Sequence, residues 1–185
     1  ARLDPHSHTD TTQPRQRHLS WAAEVDFAAR AVRATATLTF DRGGGPVDLD
    51  TRGLDIAQVT DRAGTPLRFE LGPPEPVLGQ RLRVELPPGV DICLISYRTG
   101  PDASALQWLD PEQTAGGKAP FLYSQCQAIH ARSVVPLQDT PRLRIVYDAA
   151  SELVERVTGK PYGEVLQERL FGPLGMTTAS TSRAD

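Results

Sequence analysis

The sequence predicts a mainly β protein, either a sandwich or an assembly of bent antiparallel sheets, that ends in a short helical tail. Hydrophobic and polar residues alternate with a period of two through residues 19–40. Glycine and proline occur in nearly every gap between the later apolar runs. Since successive strand side chains point to opposite faces, this pattern is typical of strands with one buried face.

The first two strands are predicted over residues 19–27 and 32–40. Leu19, Trp21 and Val25 fall on one face of the first, and Val32 and Leu38 on one face of the second. Polar residues 1–17 are predicted to form an extended, mobile arm before them. A glycine-rich turn over residues 41–46 ends the pair.

Six shorter apolar runs predict further strands, and residues 102–117 are predicted to be irregular. Asp48 and Asp50 lie near turns and are expected to be solvated. The predicted strands cover residues 54–59, 67–71, 81–86, 92–97, 121–128 and 143–147.

The residue spacing changes after Tyr147. A short helix is predicted near Leu153 and Val157, with Gly159 at its end. Pro161 suits the first turn of a second helix, which an apolar stripe continues to Leu170. We therefore expect a β domain over residues 1–148 and a pair of α-helices within residues 149–185 that packs on it.

The composition excludes several classes of protein. The net charge is −3, so no basic surface points to nucleic acid, and no apolar run is long enough to span a membrane. The chain has two cysteines, which favours a reducing, cytoplasmic setting over a disulfide scaffold. Cys93 and Cys126 are both expected to be buried as small hydrophobic residues.

No catalytic motif stands out in the chain. A zinc-binding helix of the His-Glu-x-x-His type needs two histidines four apart, and His6, His8, His18 and His130 do not provide that spacing. A nucleophilic Ser-x-x-Lys is also absent, because Ala115 and Val157 precede the two lysines by three residues. We therefore predict neither a metal site nor a catalytic residue.

Residues 101–141, which include Tyr-Ser-Gln-Cys-Gln-Ala-Ile-His-Ala-Arg, closely resemble the N-terminal domain of zinc aminopeptidases of the aminopeptidase N and leukotriene hydrolase type. The segments at residues 4–7 and 49–52 also look like that family, so the resemblance covers residues 3–148. It implies a saddle-like β domain that packs against a zinc-bearing catalytic domain.

The resemblance also implies a site. In the family, the Gln-Cys-Gln-Ala segment lines the pocket that receives the N-terminal residue of the substrate. By that match, Gln125, Gln127 and Ala128 would line a substrate pocket, and the partners would be a zinc peptidase catalytic domain or peptide N-termini. An alternative is that both glutamines are ordinary residues of a sheet.

The chain departs from that family because the zinc-binding helix, a further Glu ligand and a Gly-x-Met-x-Asn strand are missing. The sequence contains no asparagine at all. We therefore predict that this chain alone is not an enzyme, although the family it resembles uses zinc.

Residues 152–181 resemble a different family, the serine β-lactamase-like hydrolases and esterases. In that family the segment forms two helices remote from the nucleophile. The chain thus looks like a join of two fragments near Asp148, whether by natural fusion, by frame disruption or by design. We rank a non-catalytic module first, a pocket-forming part of a divided aminopeptidase second and a serine hydrolase third.

Overall fold

The computed structural model describes residues 4–10 and 12–149. Within these residues the strands form three antiparallel sheets, which confirms the predicted mainly β class. In this part of the chain no helix is long and apolar enough to cross a membrane. The predicted pair of α-helices lies outside the described residues, and the domain boundary near Asp148 stays a prediction.

The largest sheet has five strands in the order β10-β1-β2-β7-β4. Strands β1 and β2 pair antiparallel, with Trp21 opposite Ala36 and Leu19 opposite Leu38. The apolar residues of β2 are buried and the residues between them are more exposed, as the alternation predicted. The strands of this sheet are β1 (Gln16–Asp26), β2 (Ala31–Phe40), β4 (Leu54–Asp61), β7 (Ile92–Thr99) and β10 (Val146–Ala149).

A second sheet has three strands in the order β3-β6-β5. Its first strand was missed in the sequence, since the glycines and Pro46 at its start indicated a turn. Val47 and Leu49 on this strand contribute to one hydrophobic cluster with Leu38 and Ile95 of the larger sheet, so the two sheets share a core. The strands are β3 (Gly45–Thr51), β5 (Phe69–Leu71) and β6 (Gln80–Leu86).

A two-stranded hairpin follows, formed by β8 (Leu106–Leu109) and β9 (Phe121–Ser124). The prediction of irregular structure over residues 102–117 was therefore wrong for residues 106–109, which form the short strand β8. A 3-10 helix, Pro111–Gln113, lies between the hairpin strands, and a second, Ala131–Ser133, comes after β9.

The N-terminal arm differs most from its prediction. Ser7, His8 and Thr9 are buried, although residues 1–17 are polar in sequence. Ser7 and His8 have hydrogen-bond partners on β3, and the Thr9 N–H donates to Ser7 Oγ at 3.1 Å. The Ser7 hydroxyl donates a hydrogen bond to Asp50 Oδ2 at 2.5 Å, and the His8 backbone N–H donates to Asp50 Oδ1 at 2.8 Å.

Asp48 and Asp50 are likewise not the solvated turn residues that the sequence predicted. Both lie in β3, with exposed fractions of 4% and 0%. Gln13 of the arm pairs with Asp48 in both directions, since its amide donates to Asp48 Oδ2 and its carbonyl oxygen accepts the Asp48 N–H. Strand β3 is thus covered on both faces, one apolar and one polar.

Candidate functional site

The glutamine loop, residues 125–130, connects β9 to the second 3-10 helix. Gln125, Gln127 and Ala128 are all exposed, and the peptide bond between Gln127 and Ala128 is cis. The predicted strand over residues 121–128 therefore ends early, at Ser124. The structure brings the three predicted site residues together on one exposed loop.

Hydrogen bonds within the glutamine loop fix its backbone. The Gln127 N–H donates to the side-chain oxygen of Gln125 at 3.0 Å, which uses one polar group of that amide locally. The His130 N–H donates to the Cys126 carbonyl at 2.9 Å. The Gln127 amide is left exposed, and it offers two donors and an acceptor without charge.

The two ends of the glutamine loop are joined at its base through Ala105. The Gln125 N–H donates to the Ala105 carbonyl at 2.9 Å, and the Ala105 N–H donates to Ser133 Oγ at 3.0 Å. The Ser133 hydroxyl then donates to the His130 carbonyl at 2.8 Å. The loop is therefore closed by a chain of hydrogen bonds and presents its glutamines on a fixed frame.

Two residues after the loop comes Arg132, which forms the buried ion cluster with Asp50 and Asp139. The side chain of Arg132 is 0% exposed. Its Nε donates to Asp139 Oδ2 at 3.0 Å, and its Nη1 lies 3.7 Å from Asp50 Oδ1. A guanidinium suits this position because its planar fork satisfies several acceptors at once.

Carbonyl groups from two distant segments complete the cluster. Arg132 donates from Nη1 to the Leu78 carbonyl at 3.0 Å and from Nη2 to the His6 carbonyl at 2.9 Å. The Arg132 carbonyl in turn accepts the Arg52 N–H at 2.8 Å. One side chain thus ties the arm, the turn before β6 and the segment after the glutamine loop together.

Burial raises the pKa of Asp50 above its ordinary value, although hydrogen bonds from Ser7 and His8 and the charge of Arg132 act in the opposite direction. The Asp139 N–H donates a further hydrogen bond to Asp50 Oδ2 at 3.0 Å. Asp50 thus accepts hydrogen bonds from the arm and from residue 139.

Cys126 lies in the glutamine loop and is exposed as a residue, although its sulfur is partly buried, so the expectation that both cysteines are buried was wrong for this one. Cys93 is buried in the core as predicted, and burial raises its pKa to about 12. Burial and the nearby charge of Asp139 raise the pKa of Cys126. Its thiol is therefore protonated at neutral pH and is not an activated nucleophile.

A small cavity of about 240 Å³ lies beside the base of the loop. Ser104 lines it, and the Ser104 hydroxyl lies 2.8 Å from His130 Nδ1. Arg52 also lines it but uses its guanidinium on the Pro76 carbonyl at 3.1 Å. The full lining is Arg52, Gly53, Gly100, Pro101, Asp102, Ala103 and Ser104.

The four histidines are distributed over separate parts of the described chain. His6 lies near Asp4, and His18 lies 3.0 Å from Asp148. Among the described residues, no three His, Cys, Asp or Glu side chains are grouped as a metal would require.

Sequence reasoning missed the buried ion cluster altogether. A usable signal was the order Val-Asp-Leu-Asp-Thr at residues 47–51, which alternates like a strand. The alternation indicates a solvated polar face, whereas the arm and residues 137–139 cover that face in the structure.

Comparison with solved structures shows a shared fold. The fold matches that of an M1 zinc metallopeptidase from Deinococcus radiodurans with a TM-score of 0.55 at 18% identity, over 76% of this chain and 32% of that one. At this identity the likeness concerns the fold alone. The shared β domain is that of the N-terminal region of such peptidases.

Within that class, the similarity in sequence extends to particular enzymes. The structure of yeast leukotriene A4 hydrolase with bestatin matches with a TM-score of 0.73 at 30% identity, over 80% of this chain and 24% of that one. Leucine aminopeptidase 2 of Yarrowia lipolytica is 42% identical over 134 residues, which are 70% of this chain and 21% of that protein. The chain thus spans only about a fifth to a quarter of these relatives, in their N-terminal region.

A family model described as beta-lactamase matches residues 103–185. The match covers less than half of the chain and includes the segment 152–181 in which the sequence resembles that family. The helices predicted there lie outside the described residues.

Proposed function

We propose that this chain is a non-catalytic domain of the aminopeptidase N-terminal type that acts as a structural or interaction module. The observation that carries the proposal is the glutamine loop, an exposed polar loop on a closed, buried base. Such a loop suits the presentation of amide groups to a partner, because its conformation is set before binding.

The first experiment is an assay of the purified chain on aminoacyl-anilide substrates, with zinc and with or without a chelator. We expect no turnover. Chelator-sensitive turnover that follows the chain through purification would overturn the proposal, and His6, His8, His18 and His130 would then be the residues to mutate.

We further propose that the partner is a zinc peptidase catalytic domain, with Gln125, Gln127 and Ala128 lining its substrate pocket beside the peptide N-terminus. The similarity to leucine aminopeptidase and leukotriene A4 hydrolase supports this. An uncharged amide can orient an ammonium or a carbonyl group without the cost of burying a charge. The zinc would belong to the partner.

Complementation tests the partner. The chain is mixed with yeast leukotriene A4 hydrolase from which the matching quarter has been removed, and aminopeptidase turnover is measured. Turnover that depends on the chain supports a divided enzyme, and we expect the variant Gln125→Ala/Gln127→Ala to bind but to raise KM. Association without turnover would limit the chain to a structural module, and absence of association would remove this partner.

A second candidate is a serine hydrolase of the β-lactamase type, which the match over residues 103–185 favours. The chain has no Ser-x-x-Lys, so it lacks the lysine that such a serine requires. Turnover of a chromogenic β-lactam or ester by the purified chain would establish this candidate.

A cytoplasmic location is also proposed, since Cys93 and Cys126 are both free thiols. Fractionation of cells that express the native gene tests it, and recovery of the chain outside the cytoplasm would overturn it.

A further inference from the structure

We propose that Arg132 is a positioning residue for the glutamine loop, acting without touching a ligand. The inference deepens the proposed function and rests on it for its biological meaning. Arg132 and the two glutamines differ in burial. The side chain of Arg132 is 0% exposed, whereas Gln125 and Gln127, a few residues earlier, are exposed.

The guanidinium fixes the position of the backbone just after the loop. Its donors reach the Leu78 and His6 carbonyls and the Asp139 carboxylate at 2.9 to 3.0 Å. These acceptors come from three separate segments of the chain, so they define one location for residue 132. The Arg132 carbonyl is held as well, by the Arg52 N–H.

The position of Arg132 is transmitted to the loop through the next residue. Ser133 is 0% exposed, and its hydroxyl connects the Ala105 N–H to the His130 carbonyl. Ala105 also accepts the Gln125 N–H, so both ends of the loop depend on where Ser133 lies. A shift of residue 132 would therefore open the loop at both ends.

Lysine cannot replace arginine in this role. A single ammonium keeps the charge that balances Asp50 and Asp139, but it cannot reach two carbonyls and a carboxylate in a fixed plane. Arg132→Lys therefore separates the charge of the side chain from its positioning geometry, whereas Arg132→Met removes both.

The test measures amide hydrogen exchange in the full chain. The Gln125 and His130 amides report opening of the glutamine loop, since each donates to a backbone carbonyl at 2.9 Å. Amides of β2 and β7 report global unfolding. For Arg132→Lys we expect exchange of the two loop amides to rise roughly tenfold, the factor that corresponds to about 1.4 kcal/mol.

The matched control is Arg33→Lys, because Arg33 is 55% exposed on β2. It should leave the loop amides unchanged. If Arg132→Met does not fold, Arg132→Lys and Ser133→Ala still provide the test. A folded variant whose strand amides exchange faster while its loop amides do not would reduce Arg132 to a structural role and overturn the proposal.

The readout separates this proposal from the proposed function, because amide exchange needs neither a partner nor a peptide. Faster loop exchange without complementation would leave the positioning role in place and remove the divided enzyme. Complementation together with unchanged loop exchange in Arg132→Lys would support the divided enzyme and overturn the positioning role of Arg132.

Discussion

The two faces of strand β3 are equally buried but are held by different forces. Val47 and Leu49 are both 0% exposed and pack into the hydrophobic core. Asp48 and Asp50 point to the other face, where hydrogen bonds from the arm and from residue 139 cover them. Apolar contact tolerates small changes of geometry, whereas a hydrogen-bonded face requires particular partners in particular directions.

The two faces of β3 therefore have different structural roles. The apolar face joins the three-stranded sheet to the five-stranded sheet and contributes to stability through the burial of apolar surface. The polar face fixes the arm and the segment that follows the glutamine loop. The glutamine loop therefore depends on the polar face of β3. Four variants compare what the polar face, the apolar face and the loop glutamines contribute to stability.

The largest effect is expected for Asp50→Ala. It leaves Arg132 buried without one of its two carboxylates, and breaking a buried ion pair costs about 3–5 kcal/mol. Urea denaturation of Asp50→Ala measures the loss in free energy of unfolding, with the exposed Asp55→Ala on β4 as the control. A loss below about 1 kcal/mol would show that the polar face contributes little to stability.

Leu49→Ala comes next, on the opposite face of the same strand. Truncating a fully buried leucine costs about 2–5 kcal/mol through lost burial and the cavity left behind. The same denaturation experiment applies, with Leu71→Ala as the control, since Leu71 is 37% exposed. In this variant the loop amides should exchange no faster than global unfolding requires, and a selective loss of loop protection would contradict the different roles of the two faces.

A smaller, pH-dependent effect is expected at Asp48. Although burial acts to raise it, hydrogen bonds from Arg83 and Gln13 hold the pKa of Asp48 below its ordinary value of 3.8. A depressed folded-state pKa contributes stability above pH 3.8 that is lost as the pH falls through the folded-state value. The Asp48→Asn variant should therefore show a shallower fall in urea midpoint below about pH 4 than the parent. If the urea midpoint fell equally steeply below about pH 4 in the two proteins, the lowered pKa of Asp48 would be contradicted.

The smallest effect on stability is expected for Gln125→Ala/Gln127→Ala, because both side chains are exposed and the variant removes only one local hydrogen bond, from the Gln127 N–H to the Gln125 side-chain oxygen. Such surface substitutions change the free energy of unfolding by about 0.5 kcal/mol or less. Thermal melting checks this, and a large drop in Tm would mean that the glutamines support the loop rather than serve a partner.

The alternation of residues predicted β1 and β2 because each has one buried face, which is the case that a period of two describes. Alternation did not predict the burial of β3, because its polar residues are buried as well as its apolar ones. The arm covers those polar residues, and that contact is visible only in the folded structure. The arm itself carries no apolar pattern, so hydrophobicity could not place Ser7 or His8 inside. The glutamine loop was located by resemblance alone, and its supporting hydrogen bonds join segments that lie far apart in sequence.

The pairing of the first residues with the last ones of the described domain has a consequence during synthesis. The Arg132 guanidinium bonds the His6 carbonyl across 126 positions, and the Thr140 hydroxyl bonds Asp4 across 136. A ribosome adding about 5–20 residues per second needs roughly ten seconds to make that stretch. Throughout that interval the arm lacks its partners at residues 132 and 140, although Asp48 and Asp50 of β3 have already been made. The polar face of β3 is therefore complete only after residue 140 has left the exit tunnel.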